Sequence, residues 1–100
     1  MKCTLEIVSG IYDGLLFECD YFPVKIGRGQ DCEISIPLDD AVSRSHAELT
    51  HENGTIYIDD LKSTNSTFVN DQKIGEGLGK RNLNDDDIIR VGETYIKFNM

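Results

Sequence analysis

The chain has few prolines, few cysteines, few basic residues and no long apolar run, and each shortage removes a class of protein. Two prolines in 100 residues, alongside 39% apolar and 28% charged residues, exclude a disordered or low-complexity chain and predict a folded, soluble one. Cys3, Cys19 and Cys32 are odd in number and show no CxxC spacing, so neither a disulfide framework nor a zinc site is suggested. Cys3 and Cys19 fall at inward positions of expected strands and read as buried thiols. No apolar stretch approaches the length that spans a bilayer. Residues 1–10 alternate instead of presenting the apolar core of a signal peptide, so no membrane partner is expected and the expected location is cytoplasmic. Lysine and arginine total 10 against 18 aspartates and glutamates, a net charge of -8. The basic stripe that binding to nucleic acid requires is therefore missing. An acidic average still allows a small basic spot, for which Arg28 and Arg44 are the candidates.

A sustained 3.6-residue period is also absent, and short alternating runs between turn signals take its place. Residues 2–8 alternate with Cys3, Leu5 and Ile7 on one face. Ile11-Tyr12-Asp13-Gly14 turns, and 15–19 with 22–26 read as a second hairpin. Gly27-Arg28-Gly29 ends that strand, 33–36 is a short strand closed by Pro37, and Thr67-Phe68-Val69 and Gln72-Lys73-Ile74 flank the turn Asn70-Asp71. A glycine-rich loop, Gly75-Glu76-Gly77-Leu78-Gly79, precedes Lys80 and Arg81. The last hairpin, 87–91 with 94–98 around Gly92-Glu93, puts Ile89 across from Ile96. About eleven short strands without a helix predict an all-β chain folded as a sandwich or barrel. One hundred residues suit a single domain, with no linker or internal repeat, and a chain closing on a strand can be one end of a longer protein.

Residues 41–70 organise this pattern. Two strand-like runs, 47–52 and 55–60, are joined by Asn53-Gly54, the dipeptide best suited to a tight hairpin turn. The register that such a turn imposes sets Leu49 against Ile58 and His51 against Ile56 on one face, and Thr50 against Tyr57 on the other. Two polar loops, Ser43-Arg44-Ser45-His46 and Ser63-Thr64-Asn65-Ser66-Thr67, then meet at the end opposite the turn. Loops held by a rigid sheet are the usual carriers of function. These supply hydroxyls, an amide and a guanidinium, the donors that a phosphate dianion needs because its oxygens only accept.

Four blocks carry a family resemblance over nearly the whole chain: Gly27-Arg28, Ser43-Arg44-Ser45-His46, Ser63-Thr64-Asn65-Ser66-Thr67-Phe68-Val69-Asn70, and Asp87-Ile88-Ile89-Arg90-Val91-Gly92. In this order and spacing they resemble the signature of the forkhead-associated (FHA) domain. The resemblance implies an FHA/SMAD-like sandwich of two twisted, mainly antiparallel sheets whose loops bind a phosphothreonine peptide. It gives Ser43 and Arg44 the phosphate, Thr64 a further phosphate or nearby contact, and Asn65 the peptide backbone. Arg28 orders the loops and lies against the phosphopeptide, with Gly27, His46, Thr67 and Asn70 as structural support. The partner implied is a phosphothreonine protein marked by a kinase in signalling, with no catalysis and no cofactor. The alternative within the family is a phosphate-independent assembly module, although such members typically lack the arginine and serine present here.

Several residues have plainer readings. Ser43 and Thr64 have the short hydroxyl side chains that cap turns. Ser45 beside His46 lacks a nucleophile elbow, and adjacent strand residues point to opposite faces. His46 and His51 pair with no thiol at a metal-binding spacing, and Asp85-Asp86-Asp87 reads as a solvated turn. Ser66, Asp71 and Asp86 stand where the family usually has glycine. If those positions keep a positive φ, each costs roughly 1 kcal/mol, less for aspartate.

Overall fold

The computed structural model describes residues 2–75 and 77–100, so Glu76 of the glycine-rich loop lies outside the described residues. Among them are eleven strands: β1 (Cys3–Ile7), β2 (Leu16–Cys19), β3 (Val24–Gly27), β4 (Ile34–Ser35), β5 (Ala47–Glu52), β6 (Thr55–Asp60), β7 (Thr67–Val69), β8 (Gln72–Ile74), β9 (Arg81–Asn82), β10 (Ile88–Val91) and β11 (Thr94–Asn99). They form a six-stranded sheet in the order β2-β1-β11-β10-β7-β8 and a five-stranded sheet in the order β4-β3-β5-β6-β9. Pairing is antiparallel except between β3 and β4. The all-β sandwich expected from the alternation is thus present.

Alternation builds the core. Cys3, Leu5 and Ile7 of β1, Ile89 and Val91 of β10, and Ile96 and Phe98 of β11 face inward from one sheet, while Val24, Ile26, Leu49, Ile56 and Ile58 meet them from the other. A one-residue slip would turn any of these strands inside out, which fixes the register. The central hairpin pairs Leu49 with Ile58, Thr50 with Tyr57 and His51 with Ile56, and the last hairpin pairs Ile89 with Ile96, as the turn signals predict. Cys3 and Cys19 are buried cross-strand neighbours. Cys3 donates its thiol proton to the Cys19 sulfur, and that hydrogen bond, aided by burial, pushes the Cys3 thiol up.

Two local expectations are corrected, and two short elements are added to the pattern. The runs 15–19 and 22–26 do not form a hairpin: β2 pairs with β1, and β3 pairs with β4 and β5. Both runs carry inward apolar residues, but they face the core from opposite sheets, so the segment between them crosses the sandwich. The turn after β1 includes a single 3-10 turn, Gly10–Tyr12. Strand β9, only two residues long, has no alternation to reveal it, and it exists through its pairing with Tyr57 and Ile58. Asp87 is buried rather than solvated; its two carboxylate oxygens accept from Asn70 Nδ2 at 2.9 Å and the Asn84 N–H at 2.8 Å.

Candidate functional site

The two polar loops do leave β5 and β6 at the end away from Asn53-Gly54, and a small number of hydrogen bonds lock them together. His46 is wholly buried. Its Nδ1 accepts from the Ser43 N–H at 2.9 Å, which leaves the proton on Nε2 to be donated to the Ser66 carbonyl at 2.8 Å. One ring therefore ties the first loop to the second. Both ring nitrogens are engaged in this way, so His46 has none left to serve as a base for Ser45.

Ser43 makes the next link. Its Oγ accepts from the Thr64 N–H at 3.0 Å, and a hydroxyl that accepts still has its own proton to give. Asn65 donates Nδ2 to the Ala41 carbonyl at 2.9 Å, which orients the exposed amide and leaves its carbonyl oxygen as an acceptor. Thr64 and Asn65 are exposed and Ser43 is half-buried.

The arginines converge. Arg28 donates Nε to the Val42 carbonyl at 2.9 Å, and its backbone N–H bonds to the Ser43 carbonyl at 3.0 Å. Arg28 and Arg44 line one cleft of about 730 Å³, which also includes Gln30, Asp31, Pro37 and Ser45. Gly27 is required beneath it, because a Cβ there would stand 2.2 Å from the Arg44 carbonyl oxygen. That same oxygen accepts from the Gly29 N–H at 3.1 Å and from the Cys32 thiol at 3.2 Å. Burial first, and then the Asp31 carboxylate, push the Cys32 thiol up, so it stays a donor at neutral pH.

Two features near the site were not singled out in the sequence, one supporting residue and one backbone conformation. Asp60 accepts from the Ser63 N–H at 3.1 Å, from the Ser63 hydroxyl, and from Thr67 Oγ1 at 2.7 Å, bracing both ends of the loop that carries Thr64 and Asn65. Its only sequence signal is a carboxylate ending a strand just before a hydroxyl-rich loop. Lys62 has a φ of 59°, in the left-handed region that a lysine rarely adopts. Ser66, Asp71 and Asp86 do keep positive φ, at 67°, 66° and 70°.

Of the residues expected as structural support, Thr67 is in place, buried and bonded to Asp60 at the end of the loop, whereas Asn70 does not gather here. Val69 faces the core and is not open to a ligand. Asn70 lies at the far end of β7, roughly 10 Å along the strand from Thr67. It ties the β7–β8 turn to β10 by accepting from the Ile88 N–H at 2.9 Å and donating to Asp87, not to the polar loops. Among the described residues, every buried side-chain nitrogen and oxygen has a partner.

A rigid sandwich offering exposed arginine, hydroxyl and amide groups from loops at one end defines a class: a small all-β domain with an oxyanion-accepting site. The family model described as FHA domain matches residues 24–92, and the chain belongs to that family. It is 41% identical over 71 residues to the FHA domain-containing protein FhaA of Mycobacterium tuberculosis, a match that covers 71% of this chain and 12% of FhaA. Matches to the first curated relatives cover only 8 to 12% of those proteins. A structure of phosphothreonine-dependent FHA domain interactions superposes with a TM-score of 0.86 at 33% identity, covering 100% of this chain and 97% of that one. The FhaA FHA domain complexed with the intracellular domain of Rv3910 superposes with a TM-score of 0.83 at 33% identity, covering 97% and 99%. Among the described residues no helix is long and apolar enough to cross a membrane.

Proposed function

We propose that residues 1–100 form one phosphothreonine-peptide recognition module, acting in the cytoplasm to join a kinase-marked protein to its partner without catalysis. The observation that carries this reading is the convergence of Arg28 and Arg44 on one cleft, with Ser43 held between the loops by Thr64 and His46. Arg44 and the Ser43 hydroxyl bind the phosphate, Thr64 contributes a nearby contact, and Asn65 holds the peptide backbone. Arg28 both orders the first loop, through the Val42 carbonyl, and adds positive charge. Gly27, His46 and Thr67 support the site from beneath, whereas Asn70 braces the β7–β8 turn. Two or more charge-assisted hydrogen bonds at about 1.5 to 3 kcal/mol each, with contacts to an extended peptide, are consistent with micromolar affinity, about -8 kcal/mol.

Calorimetry on four peptides differing only at one residue tests the proposal. Phosphothreonine should bind, and unmodified threonine or glutamate barely at all, because glutamate has one charge on a planar group. Phosphoserine should be weaker by at least about 0.8 kcal/mol, the value of burying one methyl group. With Thr67 and Val69 turned inward, the methyl contact falls to Ser43 and Thr64. Equal binding of unmodified threonine would overturn the phosphate reading in favour of an assembly role.

A further inference from the structure

We propose that Asp39 is a positioning residue for the peptide site, holding Arg28 and Asn65 in place through the short segment 39–42 and fastening that segment to the last hairpin; this rests on the phosphopeptide reading above. Asp39 is half-buried, just ahead of the first polar loop. Its Oδ1 accepts from the Ala41 N–H at 3.0 Å, and its backbone carbonyl accepts from the Val42 N–H at 3.1 Å. Its Oδ2 faces the other way, accepting from the Glu93 N–H at 2.9 Å and from Thr94 Oγ1 at 2.6 Å. Glu93 lies in the turn between β10 and β11, and Thr94 opens β11. One carboxylate thus joins two segments 54 residues apart along the chain.

The segment that Asp39 fixes carries the two anchors of the site. The Ala41 carbonyl accepts from Asn65 Nδ2 at 2.9 Å, and the Val42 carbonyl accepts from Arg28 Nε at 2.9 Å. Each of these side chains is therefore oriented by a residue whose own N–H is bonded to Asp39. An amide and a guanidinium fixed in advance do not lose their rotamer freedom upon binding, so the peptide is held more tightly. The hairpin is fitted closely against this segment, since a Cβ on Gly92 would stand 2.7 Å from Val42 Cγ2 and 2.9 Å from both Asp39 carboxylate oxygens. Val42 is buried, so the segment cannot swing outward without giving up its place in the core. Charge points the opposite way. A carboxylate beside an anion-binding loop repels the anion, and the sign of the effect of removing it therefore separates positioning from simple electrostatics.

The test is phosphothreonine-peptide calorimetry on Asp39→Ala, Asp39→Asn and Thr94→Val, with circular dichroism to establish folding. Asp39→Ala should weaken binding about tenfold, because two side chains are left to be ordered by the peptide. Loss of a repulsive charge alone would tighten it. Asparagine and alanine are both neutral, so the part of the loss that Asp39→Asn recovers measures the hydrogen bonds. Thr94→Val removes one donor to Asp39 from a strand that supplies no residue to the site, and it should cost about twofold; should Asp39→Ala unfold, this variant carries the same test. In an Asn65→Ala background the loss caused by Asp39→Ala should shrink to the part that acts through Arg28. The free chain gives a second readout: in Asp39→Ala the NMR signals of the Arg28 Nε–H and the Asn65 side-chain amide should shift and exchange faster with water. Unchanged or tighter binding by folded Asp39→Ala, an undiminished loss in the Asn65→Ala background, or side-chain signals that stay in place would overturn the positioning role. A wild-type chain that binds no phosphothreonine peptide would instead refute the reading above, and the free chain's signals would still decide whether Asp39 holds the two side chains.

Discussion

Replacing Ser66 by glycine should stabilise the domain while preserving binding. Ser66 holds a φ of 67°, and an L-residue in that region costs roughly 1 to 2 kcal/mol. Glycine removes the cost but gives the unfolded chain more freedom, worth about 0.4 to 1 kcal/mol. The net gain is about 0.5 to 1 kcal/mol, or a rise in Tm of roughly 2 to 8 °C for a domain of this size. The interaction that matters here is the backbone carbonyl, which accepts from His46 Nε2 at 2.8 Å and is retained in glycine. Asn65 should therefore stay in place, anchored through the Ala41 carbonyl. Thermal unfolding and phosphopeptide calorimetry on the wild type, Ser66→Gly and Ser66→Ala separate the causes. Alanine keeps the strain and lacks the hydroxyl, so it should show no gain. A lower Tm for the glycine variant, or a large affinity loss shared by both variants, would refute the argument and make the Ser66 hydroxyl a contact in its own right.

Other outcomes follow from the same geometry. Arg28→Ala and Arg44→Ala should each weaken phosphopeptide binding by about 1.5 to 3 kcal/mol without unfolding the domain, measured by calorimetry alongside circular dichroism. Arg44→Lys should restore only part of the loss, because lysine keeps the charge but not the planar fork. His46→Ala leaves the Ser43 N–H and the Ser66 carbonyl without their partner. It should cost about 2 to 5 kcal/mol in denaturant unfolding and loosen both loops, so affinity should fall even where the domain remains folded; full affinity in a folded variant would show that the loops hold themselves.

The alternation of apolar residues made most of the fold legible, because in a strand each side chain's face follows from its position alone. Asn53-Gly54 set the central register, and Gly27-Arg28, Ser43-Arg44 and Thr64-Asn65 marked the residues that could meet an anion. Sequence also marked Ser66, Asp71 and Asp86 as positions under backbone strain. Other features depended on contacts between distant segments. The partner of β2 could not be read locally, since inward residues look the same whichever sheet carries them. Strand β9 is too short for a period and is defined by its neighbour. The role of Asp60 emerges only where Ser63 and Thr67 fold back to it. Asn70 sits in the same motif block as Asn65, yet β7 carries it to the opposite end of the sandwich, where it serves the last hairpin. Composition and spacing thus determined the strands and the chemical groups available for binding. Tertiary packing decided which of those groups share a cleft, because hydrogen bonds such as those of His46, twenty residues from Ser66 along the chain, form only after both sheets have closed on their common core.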